Sequence, residues 1–378
     1  MDLFDKIIVG GGASGMMASI TAASRGEKIL LLEKQGFLGR KLLASGSGRC
    51  NLTNINLDLH CYHGQNALQF AKTALESFDN QTTIKFFEEM GLRLQVEDEG
   101  RVFPSCGESA TVVELLKQRL HQLNVNILLH AEVVKIEKKR DFFEVSRRNE
   151  GYRGEKIIIS CGGKAAPQLG GRESGYQLAQ QLGHRIIPLR ASLVPLELVG
   201  NWFHKLQGVR VTVEISAWLK GKRIDVKRGE LLFTKYGLSG PVALKISRVV
   251  SDFYDKKDFE LRVNFFPGET KESLKHKIKM GLLGLLPHKL IPTLFDENPE
   301  RLLKNLTSLV IKVKKTRPLS EAQVTAGGVD TSEVYSQILE SKIVKGLYFT
   351  GEILDIDGDS GGYNLQWAWS SGYLAGSQ

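Results

Sequence analysis

Apolar residues near the start of the chain come as two short solid runs with a small-residue stretch between them. "DKIIVG" (Asp5–Gly10) ends in glycine, and "EKILLLEK" (Glu27–Lys34) carries the second run up to Glu33. Between them, "ASGMMASITAASRG" is compatible with a helix. Strand, tight turn, helix and strand make a βαβ unit. Further on, Val112, Val113, Leu115, Leu116, Leu120 and Leu123 predict an amphipathic helix over Glu108–Asn124. "NILLH", "EVVKIEKK", "FFEVSRR" and "EKIIISCGG" read as strands, the last returning into the first sheet.

The texture changes after "QLGHRIIPLRASLVPL". "GVRVTVEISAWL", "KRIDVKRGELLFT" and "FELRVNFF" alternate as antiparallel strands do, with turn residues between them. A Lys-rich helical stretch is expected from Glu269 to about Leu306, with Lys271, Lys275 and Lys279 on a solvated face. The chain reads as sheet again near Ala322 and ends in a strand, "LYFTGE", and a helix, "SGGYNLQWAWSSGYLAG". No internal repeat is visible. The pattern predicts an α/β fold: a discontinuous Rossmann-type domain from residues 1–188 and 322–378, with residues 189–321 inserted.

Composition sharpens this picture at three points. A length of 378 residues favours two domains over one core. No basic, cleavable leader is visible at Met1–Lys6, and "MGLLGLLPHKLIPTLF" (Met280–Phe295) is too short and too interrupted to span a bilayer, so no membrane partner is expected. Cys50, Cys61, Cys106 and Cys161 form no CxxC pair, which argues for a reduced, cytoplasmic protein without a dithiol redox centre. The net charge of +9 is unevenly spread: Arg185–Glu321 holds 26 Lys/Arg against 14 Asp/Glu, the remainder 25 against 28. Such asymmetry suits either a polyanionic partner or a solubilising basic surface.

The glycines of "IIVGGGASGM" carry the first chemistry. Gly10 permits the tight turn, Gly12 lets backbone approach a pyrophosphate, and Gly15 lets helix and strand pack closely. Glu33 is placed to accept from ribose hydroxyls and to repel a 2′-phosphate. FAD is favoured over NAD by a second glycine-rich loop, "GRKLLASGSGRCNLTN", and by the C-terminal strand and helix. Gly351-Glu352 there suits ribityl hydroxyls, and the helix amides suit the flavin ring. Expected cofactor contacts are Gly10, Gly12, Ala13, Ser14, Gly15, Glu33, Lys34, Arg40, Lys41, Ser45, Gly46, Gly48, Val134, Gly162, Gly163, Gly351, Glu352, Gly362, Tyr363, Asn364 and Leu365.

These stretches, together with "GELLFTKYGLSGP" and "TAGGVD", closely resemble the BaiN/RdsA-like, or aminoacetone-oxidase-like, bacterial NAD(P)/FAD-dependent oxidoreductases. The resemblance spans nearly the whole chain. It implies a two-part FAD domain interrupted by a small β-barrel joined to helices. The chain departs from the family pattern at Ala166, at "GGRESG" (Gly170–Gly175) and at Lys235.

No second dinucleotide fingerprint follows a strand, so NAD(P)H is expected as a transient electron donor. Cys50 is the candidate general acid, its alternative being a small residue packed under the ring; Arg49 suits either an anionic substrate or the pyrophosphate. "HCYH" (His60–His63) lacks a partner pair at metal-site spacing and reads as a surface loop, so no metal is expected. Reduction of a polarised C=C bond is the reaction that the resemblance implies, in a steroid-like acid or in a uracil of ribosomal RNA. The basic insert favours RNA, with Lys235 and Tyr236 as substrate contacts and Trp202 or Trp218 as further stacking candidates. The alternatives are a small-molecule enone or amine, and an RNA-binding factor that keeps FAD as a structural element.

Overall fold

The computed structural model describes residues 3–147 and 150–378. The chain forms two compact units, Met1–Leu189 with Thr325–Gln378, and Arg190–Val324. These junctions fall one and three residues after the expected ones.

The first unit is built on a parallel sheet in the order Asn126–Leu128, Ile29–Leu32, Leu3–Val9, Glu150–Ile159, Leu347–Phe349. Ile29–Leu32 is buried at every position, as expected where both faces of a parallel sheet are covered. On its edge away from Leu3–Val9, Glu150–Ile159 serves two partners: its second half pairs with Leu347–Phe349, while its first half pairs antiparallel with Phe143–Arg147, which pairs with Lys135–Lys138. Two helices cover one another beside this sheet. Ala13–Ala23 is buried at ten of its eleven positions, so its alanines, serines and glycine are the residues that fit. A Cβ on Gly372 would lie 2.5 Å from the Ser14 carbonyl oxygen, and one on Gly376 2.6 Å from that of Ala18. The C-terminal helix, Tyr363–Gly376, therefore runs parallel to the first helix at the closest spacing backbone allows.

The second unit is a seven-stranded antiparallel sheet ordered Leu309–Ile311, Phe259–Asn264, Arg210–Leu219, Lys222–Thr234, Gly237–Ser239, Leu196–Leu198, Val313–Thr316. The first and last strands of that order are separated in the chain only by Lys312. The sheet must curl until its two edges meet, so the barrel is closed by a covalent bend rather than by a ladder. Helix Pro241–Phe253 packs its buried face, including Val242, Ile246 and Val250, on the inside of this sheet. The Lys-rich stretch expected to be helical over Glu269–Leu306 holds three helices: Lys271–Met280, Ile291–Leu294 and Pro299–Ser308. Gly281 stops the first at a φ of +105°, and Pro292 and Pro299 sit in the first turns of the other two.

Gly372→Ala tests the helix contact. A mid-helix Gly→Ala ordinarily stabilises by about 1 kcal/mol. Here it should destabilise by about 2 kcal/mol, because the new methyl meets a carbonyl that cannot yield. The midpoint of urea unfolding checks the sign.

Candidate functional site

The three fingerprint glycines have three distinct geometries. Gly10 has φ +111°, and a Cβ there would lie 2.5 Å from the Ser160 oxygen; one on Gly15 would lie 1.9 Å from the Gly10 oxygen. A Cβ on Gly12 would meet nothing within 4 Å. Two of these glycines are dictated by the protein's own packing, and the third faces open space at the head of a helix. That helix has no side-chain cap, so its first amides are offered outward with the positive end of the dipole. Glu33 is buried above the turn, its Oε2 accepting from Gly11 N–H at 2.7 Å and its Oε1 from Gln35 N–H at 2.7 Å. Each carboxylate oxygen keeps a lone pair for a further donor.

The chain ends converge on the same helix. A Cβ on Gly351 would lie 2.6 Å from Ser14 Oγ, and one on Gly163 2.6 Å from Glu352 Oε1. Glu352 accepts from Lys41 Nζ at 2.6 Å and from Thr325 N–H at 2.8 Å. Gly162 beside it has φ +69° and open space around it. The second uncapped helix end lies at Gly362, whose Cβ would lie 2.4 Å from the Thr53 oxygen, so Tyr363, Asn364 and Leu365 begin that helix with their amides outward. Because Ser14 lies against Gly372, the two helix starts are offset by eight residues, roughly 12 Å at 1.5 Å per residue. Two positive ends at that separation, facing the same way, suit an elongated anionic ligand.

The second glycine loop lies between them. Gly46, Ser47, Gly48 and Cys50 all have positive φ, and Ser45 Oγ donates to the Leu42 oxygen at 2.6 Å. Asn51 Oδ1 is buried without a protein partner, as is Thr350 Oγ1. Buried orphans of this kind are expected where a bound group completes the hydrogen bonding. The loop is tied to the C-terminal helix by Trp369 Nε1 donating to the Leu52 oxygen at 3.0 Å and by Thr53 Oγ1 to Gln366 Oε1 at 2.5 Å. Asn54 Nδ2 adds a bond to the Gly361 oxygen at 2.9 Å.

Several expected site residues have other work. Cys50 is fully buried, and burial pushes its thiol up to about 12. With no exposed surface it does not reach solvent, which favours the packing alternative over the general-acid one. Arg49 donates to both Glu97 oxygens, at 2.7 and 3.3 Å, and lies 4.2 Å from the Phe103 ring centre. Val134 spends its N–H on the Ser146 oxygen at 2.9 Å, and its side chain is half exposed. The buried Val133 beside it makes no such bond and is the better candidate contact. Arg40 donates to Gln35 Oε1 at 2.7 Å. Lys34 is half-buried without a hydrogen-bond partner among the described residues, and burial lowers its pKa. His60 pairs with Asp58 and His63 with Asp359, so the "HCYH" run is held by carboxylates of its own unit. Lys235 and Tyr236 lie in the second unit: Lys235 is exposed in a turn, and Tyr236 lies 4.7 Å beneath the Arg317 guanidinium. Trp202 packs on Phe203 and Phe233 as a core aromatic.

Sequence reading missed a buried Ser–His–Glu arrangement. His184 meets Ser341 Oγ at 2.7 Å through Nε2 and Glu333 Oε2 at 3.2 Å through Nδ1. Ser341 Oγ already accepts from the Ile343 and Val344 amides, so its hydroxyl proton must go to Nε2, leaving Nδ1–H for Glu333. Ser341 is buried, with no access for a substrate. The set is a structural clasp, not a nucleophile. Thr325 and Asn51 were missed too, because single polar residues without spacing carry no signal.

A profile of the HI0933-like protein Rossmann domain matches residues 4–378. The chain is 36% identical to the 3-dehydro-bile acid delta(4,6)-reductase of Clostridium scindens, over 98% of this chain and 97% of that one. It is 34% identical to the ribosomal RNA dihydrouridine synthase of Escherichia coli, over 99% and 97%. In fold it is similar to the 3-ketosteroid delta1-dehydrogenase of Sterolibacterium denitrificans, with a TM-score of 0.54 at 12% identity, covering 100% of this chain and 99% of that one.

Two measurements follow from the buried groups. Under native conditions a thiol reagent should label the exposed Cys106 first and Cys50 only on unfolding, read by peptide mass. Burial lowers the His184 pKa below its ordinary 6.5, so the unfolded chain binds the extra proton first as pH falls. Stability should therefore decline as pH drops below about 6.5. His184→Gln, which keeps an acceptor for Ser341, should flatten that decline in denaturation measured across pH 5–7.

Proposed function

We propose that this chain, which belongs to the HI0933-like Rossmann family of FAD-dependent oxidoreductases, reduces a polarised C=C bond of a uracil in ribosomal RNA with electrons from NAD(P)H. The two curated relatives are named for different substrates. A conjugated enone of a bile acid and the 5,6 double bond of uracil nonetheless need the same chemistry: hydride to the β-carbon and a proton to the α-carbon.

FAD fits the first unit. The Gly12 space and the amides of Ala13, Ser14 and Gly15 would take the pyrophosphate, and Glu33 the adenosine ribose. Glu352, held by Lys41 and Thr325, would face the ribityl chain beside Gly162 and Gly163. The Ser45–Gly48 loop, Asn51 and the amides of Tyr363, Asn364 and Leu365 would receive the ring. When bound, the flavin supplies the hydride. The protein orients the group and stabilises negative charge on its pyrimidine edge through the C-terminal helix dipole. Cys50 contributes packing only.

The observation that selects RNA is charge. The second unit, Arg190–Val324, carries 25 Lys/Arg against 14 Asp/Glu, while the rest of the chain carries 26 against 28. A small enone needs no such field, whereas a polyphosphate chain does. The 36% identity to the bile-acid reductase is what favours a second reading, a small-molecule enone.

The deciding experiment measures dihydrouridine in ribosomal RNA from cells with and without the gene. A specific dihydrouridine should vanish on deletion and return with the intact gene. It should not return with Gly12→Val, whose Cβ meets no protein atom within 4 Å and whose side chain would enter the pyrophosphate space. Unchanged RNA, with flavin reduced by NAD(P)H and reoxidised by a steroid enone, would establish the second reading instead.

A further inference from the structure

The excess charge of the second unit is not spread evenly over its surface. Lys220, Lys222, Arg223, Lys227 and Arg228 fall within nine residues, with Asp225 the single acid among them. The structure folds them into the outer end of a hairpin of Arg210–Leu219 and Lys222–Thr234, joined at Lys220 and Gly221, whose φ values of +50° and +74° make the tight turn. Lys227 lies 3.8 Å from Asp225; Lys220, Lys222, Arg223 and Arg228 have no ion-pair partner among the described residues and are exposed.

Register places the rest. Trp218 lies opposite Arg223, Ser216 opposite Val226 and Glu214 opposite Arg228, all on the face away from the buried Val213, Ile215 and Ala217. A bulge between Ala217 and Trp218 absorbs one residue, so Arg223 and Arg228 face partners four positions apart on the neighbouring strand, roughly 13 Å. On the other side of the central strand, Arg262 stands opposite Ser216, its guanidinium 4.0 Å over the Trp218 ring and held by Glu260 at 2.6 Å. Of the remaining acids, Glu230 is paired with Arg210, and Glu214 lies toward the base of the ribbon. The outer edge of Lys222–Leu231 carries no neighbouring strand, since Gly237–Ser239 begins its pairing at Leu232. The result is a ribbon with an open edge, unpaired cations 13 Å apart and a stacked Trp–Arg plane between the strands.

We propose that this hairpin is the element that docks ribosomal RNA, an inference that rests on the RNA reading above. Lys220, Lys222, Arg223 and Arg228 contact phosphates, and the Trp218–Arg262 plane receives an unstacked base. The unit thereby separates two tasks. Phosphate contacts fix register, and the stacked plane selects single-stranded or looped RNA over a regular duplex, whose bases offer no free face.

The test uses the holoprotein and protein-free ribosomal RNA prepared from cells lacking the gene, with binding measured across salt concentrations. R223Q/R228Q should weaken binding about tenfold and lower the salt slope by about two, with bound-flavin absorbance and thermal midpoint unchanged. K275Q/K279Q removes the same charge from helix Lys271–Met280 and should leave binding within about twofold. Trp218→Leu should weaken binding to the RNA without changing the salt slope. Equal losses from the two charge pairs, or none from the hairpin pair, would overturn the assignment while wild-type binding keeps the RNA reading intact. Wild-type protein that does not bind the RNA would end both.

Discussion

The contact on which the rest depends is backbone against backbone, where Gly372 and Gly376 meet the carbonyls of Ser14 and Ala18. Any side chain at those glycines would push the helices apart. Any slip along the axis would bring a different residue to Ser14. The contact therefore fixes both the distance and the stagger of two helices that come from opposite ends of the chain. Both begin on a glycine without a side-chain cap. A glycine start costs a few tenths of a kcal/mol relative to Ser or Asp. Two such starts, offset by roughly 12 Å and facing one way, are a structural expense whose return is a ligand-binding groove with two positive poles.

The polar loop between these poles is fixed from behind. Leu52, Thr53 and Asn54 hand their backbone or side-chain groups to Trp369, Gln366 and Gly361, and Gln366 Nε2 goes on to the Phe78 oxygen. Every one of these bonds lies on the side of the loop turned toward the C-terminal helix. The groups without partners, Asn51 Oδ1 and Thr350 Oγ1, are the exception. A buried network satisfied on one side and open at two atoms is pre-organised, since the loop has no internal alternative to collapse into.

Much of this was legible from sequence, and the reason is geometric. Glycines at fixed offsets report backbone constraints: a Cβ on Gly10 would lie 2.5 Å from the Ser160 oxygen and one on Gly15 1.9 Å from the Gly10 oxygen, while Gly12 leaves open space. The Ile29–Leu32 run and the alternation of Arg210–Leu219 likewise translate directly into burial. In the helical stretch after Glu269, Gly281 and Pro292 set the breaks that lysine spacing alone does not show. Side-chain chemistry was the least legible. The pairing of Glu352 with Lys41, 311 positions away in sequence, has no sequence signal. His184, Glu333 and Ser341 are brought together only by the fold.

The conformations of Cys50 and Arg49 share one cause. A loop that passes through four left-handed residues in six turns its backbone outward and its larger side chains inward or aside. Cys50 goes into the core at φ +61°, and Arg49 lies back on Phe103 and Glu97. Apart from the half-exposed Arg49, what remains on the outer surface is glycine, serine and main chain, which can cradle a planar ring but cannot titrate. Division of labour follows from that composition. The first unit supplies position and a fixed dipole field, while the exposed cations Lys220, Lys222, Arg223 and Arg228 cluster at one hairpin end of the second unit.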